Sequence, residues 1–135
     1  MIAIDSSALI DVLTDDPLHG ERSSAKLQSA LERDDVVVCD IVLAEIATKI
    51  QPVEDLLDAL AELRVNFSAT SEQAALRAGI MQRRFLERGG HRHDRVVSDF
   101  IIGAHALLQC NALITRDQGF FRDYFKGLKI INPSP

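Results

Sequence analysis

The sequence predicts an α/β domain of three layers, α/β/α, around a mostly parallel sheet of four or five strands. Two observations carry this reading. Short β-branched runs alternate along the chain with longer helical patterns, the rhythm of strand–helix–strand units. The runs are also apolar at every position rather than at every second one, as in a parallel sheet covered on both faces. In such sheets a ligand site is expected beyond the carboxyl ends of the strands, at a switch in strand order.

The strand candidates are Ile2–Ile4, Val36–Cys39, Ala112–Thr115 and Leu128–Ile131, with Val65–Phe67 a weaker fifth. A helical pattern, "SSALIDVL", begins directly after Asp5. Asp16 followed by Pro17 reads as an N-cap and first helical position, opening a helix towards Arg33. Asp40 is placed to cap "IVLAEIATKI", and Pro52 opens "VEDLLDALAEL". Thr70 with Gln73 forms a capping-box pattern for the helix that stops at Gly89-Gly90. Ser98 or Asp99 is a cap for "FIIGAHALLQC". No repeat or linker divides the 135 residues, which read as one domain spanning 1–135.

Nearly half the residues are apolar, with no Trp and one Tyr, so the core is expected to be aliphatic. No apolar run approaches the roughly 20 residues of a membrane span, and "MIAIDSS" has no basic region of a signal peptide. The two cysteines, Cys39 and Cys110, form no CxxC and read as small core residues in a reducing, cytoplasmic setting. Four scattered His give no zinc spacing, and His105 on an apolar helix reads as a core residue. A net charge of −5 excludes a protein that coats nucleic acid all over.

Carboxylates fall where a site is expected. Asp5 ends the first strand, Asp117 follows the strand "ALIT", Asp99 starts the helix before that strand, and Glu45 interrupts an apolar helix. Each has a local explanation: a cap for Asp5, a first-turn charge for Asp99, an Asx-turn for Asp117, a solvated face for Glu45. Taken together, they would meet at one edge of the sheet. Clustered carboxylates repel and raise one another's proton affinity unless a cation sits among them. Hard oxygen donors select magnesium or manganese over zinc. Two such ions about 3.5–4 Å apart can activate water and stabilise the leaving oxygen of a phosphodiester. Competing motifs fail: Ser7 breaks DxDxT, Leu9 breaks DxSxS, and no Lys follows "ALIT" as a receiver domain requires.

The blocks "IDSSALID", "DIVLAEI", "SDFIIGAHAL" and "NALITRDQGFFRDYFKGLKIINP" together resemble the PIN-domain family, and within it the VapC-type toxins of toxin–antitoxin pairs. The resemblance spans Ile2 to Pro133. It implies a PIN-like fold, endoribonuclease activity through a Mg2+- or Mn2+-activated water, and a catalytic, metal-binding quartet at Asp5, Glu45, Asp99 and Asp117. Ser6 stands where the family most often has Thr; Ser6, Thr115 and Arg116 would support the site. Asp94 is a further acid near Asp99, with a capping role as its alternative. The resemblance also implies a cognate antitoxin, contact with DNA only through that antitoxin, and a homodimer. Leu56, Leu57, Leu60, Leu63, Ile80 and Met81 are candidates for the dimer face, or else core.

One basic segment, "RRFLERGGHRHDR", holds Arg83, Arg84, Arg88, Arg92 and Arg95 with His91 and His93. Phosphates need such cations to fix their register, so Arg83, Arg84, Arg88 and Arg92 are candidates for tracking an RNA backbone. The alternative is a solvated helix end that complements the helix dipole. The sequence thus points to a metal-dependent endoribonuclease toxin. A catalytically silent metal- or RNA-binding module acting through complex formation is the second reading.

Overall fold

The computed structural model describes residues 1–91 and 95–134. The expectations placed on Arg92, His93 and Asp94 lie outside the described residues.

Five strands form one parallel sheet: β1 (Ile2–Ile4), β2 (Val36–Val38), β3 (Val65–Phe67), β4 (Ala112–Ile114) and β5 (Lys129–Ile131). Their order is β3-β2-β1-β4-β5. The three central strands, β2, β1 and β4, are buried at every residue, which is why their sequences carry no alternation. Register is set by pairs such as Ala3 with Val37 on one side and Leu113 on the other.

The helices are α1 (Ser6–Leu13), α2 (Gly20–Leu31), α3 (Asp40–Ala47), α4 (Val53–Leu63), α5 (Glu72–Glu87), α6 (Val97–Gln109) and α7 (Gln118–Tyr124). The chain moves outward from β1 to β3, then returns to place β4 on the other flank of β1. Right-handed crossovers therefore put α1–α4 on one face and α5–α7 on the other. The contacts agree: α1 packs on α2 and α3, and α5 packs along α6.

Four local expectations are corrected. Asp16 does not cap a helix at Pro17. Its carboxylate accepts from the Leu18 and His19 N–H groups at 3.0 and 2.8 Å, making a turn, and α2 begins only at Gly20. Asp40 is the first residue of α3 rather than its cap, and its carboxylate accepts from the Thr70 N–H and hydroxyl. With Thr70 so engaged, Ser71 caps α5, accepting from the Ala74 N–H at 3.1 Å. Neither Ser98 nor Asp99 occupies the cap of α6. Val96 does, and Asp99 reaches back from the first turn to accept its N–H at 3.4 Å.

The core is aliphatic around the sheet but not throughout. Phe85, Phe100, Phe120, Phe121, Tyr124 and Phe125 form an aromatic cluster of edge-on and tilted ring pairs between α5, α6 and α7. Gly103 lets it form, because a Cβ there would lie 2.3 Å from the Phe125 ring. Of the dimer-face candidates, Leu56, Leu60 and Met81 are core residues, whereas Leu57 and Ile80 are exposed. Cys39 is buried, Cys110 half-buried, and both are free. Burial pushes the Cys110 thiol up to about 11.

His105 is buried on α6, with Nε2 3.1 Å from the Ser68 hydroxyl; beside it Gln109 accepts from the Ser71 N–H and donates to the Ala69 carbonyl. These bonds strap the segment after β3 to α6. Burial holds the His105 pKa below its ordinary value, opposed by the Asp40 charge. The folded state thus resists a proton that the unfolded chain takes up near pH 6.5. Stability contributed at neutral pH should fall as pH drops below about 6.5. Thermal melts of the parent and His105→Gln between pH 7.5 and 5.5 should differ in slope, with the parent losing more; parallel curves would refute this role.

Candidate active site

At the carboxyl ends of β1 and β4 the strand order switches direction, opening a crevice between the two helical layers. A cleft of about 490 Å³ lies there, lined by Asp5, Ser6, Ser7, Ile10, Glu45, Lys49, Arg95, Asp99, Arg116 and Asp117. The four carboxylates singled out in the sequence all line it, each from a different element. Asp5 caps α1 at the end of β1, Glu45 comes from α3, Asp99 from the first turn of α6, and Asp117 from the start of α7.

Asp5 is the most enclosed, 8% exposed. One carboxylate oxygen accepts from the Ser6 N–H at 2.7 Å, and the other from the Thr115 hydroxyl at 2.8 Å. The Thr115 hydroxyl in turn accepts from the Asp117 N–H at 3.0 Å. Thr115 is thus the tie between the ends of β1 and β4, and its role follows from a hydroxyl that donates one way and accepts the other. Burial nonetheless raises the pKa of Asp5, with Asp99 and Asp117 adding repulsion against the two hydrogen bonds. Burial likewise raises Glu45, where Asp5 and Asp99 add to it, and raises Asp99, where Arg95 works in the opposite direction. The Glu45 Oε1 atom is buried without a hydrogen-bond partner among the described residues. Buried polar atoms are normally satisfied, and this oxygen is an acceptor for which no described residue supplies a partner.

Two arginines line the cleft and do different things. Arg116 turns away from the carboxylate quartet and grips Asp11 of α1 with two bonds, Nε to Oδ2 at 2.9 Å and Nη2 to Oδ1 at 3.3 Å. Ser23 of α2 adds a third bond to the same buried carboxylate at 3.1 Å. Arg95 points inward. Its Nη1 lies 2.5 Å from Asp117 Oδ2 and 3.9 Å from Asp99 Oδ2, while its guanidinium stacks 4.1 Å over the Phe120 ring.

The oxygen-only donor set and the unpaired Glu45 oxygen fit a hard divalent cation. Among the described residues, no three Asp, Glu, His or Cys side chains are already drawn into a cage for one. Residues 2–126 match the PIN domain family. The chain belongs to the PIN domain family. Comparison with curated protein sequences gives no match. Among solved structures, this PIN domain is similar to three complexes at 18–23% identity. VapBC2 from Rickettsia felis, bound to a fragment of its promoter DNA, is 18% identical with a TM-score of 0.75 over 98% of each chain. VapBC-1 from nontypeable Haemophilus influenzae is 23% identical with a TM-score of 0.72 over the whole of both chains. A toxin–antitoxin complex from Klebsiella pneumoniae is 20% identical with a TM-score of 0.67, covering 99% of this chain and 98% of that one. At these identities the likeness establishes a shared fold.

The other sequence candidates lie elsewhere on the PIN domain. Arg83, Arg84 and Arg88 are on or just after α5 and do not line the cleft: Arg83 pairs with Glu87, Arg84 contacts the Met81 sulfur, and Arg88 lies over the Tyr124 ring. Sequence reasoning missed Asp11, Lys49 and Arg95. An Asp inside an amphipathic helix and one arginine among five give no local sign of pointing inward.

Two outcomes follow. Because burial and the Asp5 and Asp99 charges outweigh the Ser6 hydrogen bond and the Lys49 charge at Glu45, Glu45→Gln should raise Tm by about 2–4 °C at pH 7.5 in chelator, near 1 kcal/mol. A lowered Tm would show that the carboxylate stabilises the fold. Asp11→Ala removes three hydrogen bonds and strands Arg116, so it should cost about 2–3 kcal/mol in urea unfolding. A loss under about 0.5 kcal/mol would show that the pair is no anchor.

Proposed function

We propose that this PIN domain is a metal-dependent endoribonuclease toxin of the VapC type, acting in the cytoplasm and neutralised by a cognate antitoxin. The observation that carries the proposal is the convergence of Asp5, Glu45, Asp99 and Asp117 on one cleft at the strand-order switch. The similarity of the fold to VapBC complexes supports the toxin reading and the antitoxin partner. A promoter fragment is bound to one of those complexes, which supports this chain reaching DNA as part of a toxin–antitoxin complex.

Asp5, Glu45, Asp99 and Asp117 would hold magnesium or manganese. When bound, such an ion supplies an activated water and offsets charge on the scissile phosphate. The chain's own residues do the rest. Thr115 fixes the Asp5 carboxylate and the Asp117 backbone in one register, and Ser6 fixes the other Asp5 oxygen. The Arg116–Asp11 pair anchors the segment between β4 and α7 that presents Asp117. Lys49 supplies positive charge at the cleft for phosphate oxygens. Arg83, Arg84 and Arg88 would extend that contact along α5 to RNA outside the cleft. Exposed Leu57 and Ile80 offer apolar surface to a second copy, for a homodimer.

The test is cleavage of total RNA by the purified protein with magnesium or manganese. Chelator should abolish it, and Asp5→Ala and Asp99→Ala should each lower it at least about a hundredfold, since even outer supports of a metal site cost about 10–100-fold. Cleavage unchanged in both variants overturns the mechanism. A manganese-induced rise in Tm without cleavage would instead favour a silent binding module.

A further inference from the structure

Arg95 is the residue whose position the proposed chemistry does not explain. A nuclease that needs cations for phosphate would keep them at the rim. Arg95 instead places one nitrogen between two carboxylates of the quartet, in hydrogen-bond contact with Asp117 and 3.9 Å from Asp99. A divalent cation bridging those two carboxylates would have to enter the same space. The other cleft arginine is engaged elsewhere, its Nε and Nη2 both bonding Asp11. Phe120 gives the Arg95 guanidinium a flat, largely buried seat at 4.1 Å, and the side chain is still 27% exposed. It is therefore held firmly enough to compete and lies close enough to solvent to leave.

We propose that Arg95 is the resident counter-cation of the cleft, occupying the space between Asp99 and Asp117 and giving it up when a divalent cation binds. This rests on the metal-binding reading of the quartet. Arg95 explains why negative charge gathers at this point without a gathered cage: the chain neutralises its own cluster until a stronger cation arrives. A guanidinium keeps its charge at any accessible pH, so Arg95 cannot leave by losing its own proton. Metal affinity is then set by an exchange of cations rather than by filling a free site.

The experiment is calorimetric titration of manganese into the full chain and into Arg95→Gln, Arg95→Ala and Lys49→Gln. Lys49 lines the same cleft and senses Glu45, so its removal measures the general effect of deleting a nearby positive charge. Both Arg95 variants are expected to bind manganese about tenfold more tightly than the parent, about 1.4 kcal/mol, and clearly more tightly than Lys49→Gln. Unchanged or weaker binding in the Arg95 variants overturns the proposal, as does equal tightening in Lys49→Gln. Side-chain Nε–H NMR of the parent adds a readout that needs no variant: magnesium should shift the Arg95 signal, and an unmoved signal at saturating magnesium overturns the exchange. Arg95-sensitive binding without RNA cleavage would defeat the nuclease reading and leave this one standing. Absence of any manganese binding in the parent and in the variants would defeat both.

Discussion

Negative charge gathered in the crevice between β1 and β4 is the constraint around which the rest of this molecule is arranged. Asp5, Glu45 and Asp99 all have their proton affinity raised, chiefly by burial, and each of them is repelled by others of the set. A fold optimised only for stability would not place them there. What makes the arrangement tolerable is a set of specific supports: the Ser6 N–H and Thr115 hydroxyl on Asp5, the Val96 N–H on Asp99, and Arg95 on Asp117. Glu45 Oε1 has no such support among the described residues.

The topology decides where this charge can go. A parallel sheet sends every strand's carboxyl end to one edge, and the reversal from the β1–β2–β3 progression to β4 parts the helical layers there. Asp5 and Thr115 end adjacent strands, so a single hydroxyl bridges them although 110 residues separate them in sequence. Asp99 and Glu45 reach the same edge from opposite faces. The Arg116–Asp11 pair belongs to this logic too. It ties the segment after β4 to α1, the helix that Asp5 caps, and so links the two strand ends a second time.

The strands and the acidic residues were legible in sequence because their signals are local. Buried parallel strands read as short β-branched runs, and even Val65–Phe67, the weakest run, forms the edge strand β3. Carboxylates directly after such runs are placed by the fold class itself. What sequence could not show was choice among equivalents. Thr70 and Ser71 are both good caps, and Asp40, thirty residues away, takes Thr70 and leaves α5 to Ser71. Asp16 looks like a cap and caps a turn, because its oxygen finds two N–H groups before any helix starts. α7 was hidden by its seven-residue length and by aromatics that signal packing rather than periodicity. Arg95 was hidden among neighbours of the same type, since what distinguishes it is tertiary: the Phe120 ring beneath it and the Asp117 carboxylate it reaches.

That last point bears on how charge and stability are balanced in the cleft. Four carboxylates would be less costly if each were paired within the chain, yet a fully paired cluster would have no affinity left for a cation from solution. Arg95 and Lys49 against four acids are an intermediate solution: enough positive charge for the domain to fold, too little to satisfy the site. On the proposed metal-binding reading, that deficit is the source of binding energy. An ion that replaces Arg95 recovers the repulsion that folding left in place, so the strain is drawn down when the cluster is filled rather than when the chain folds.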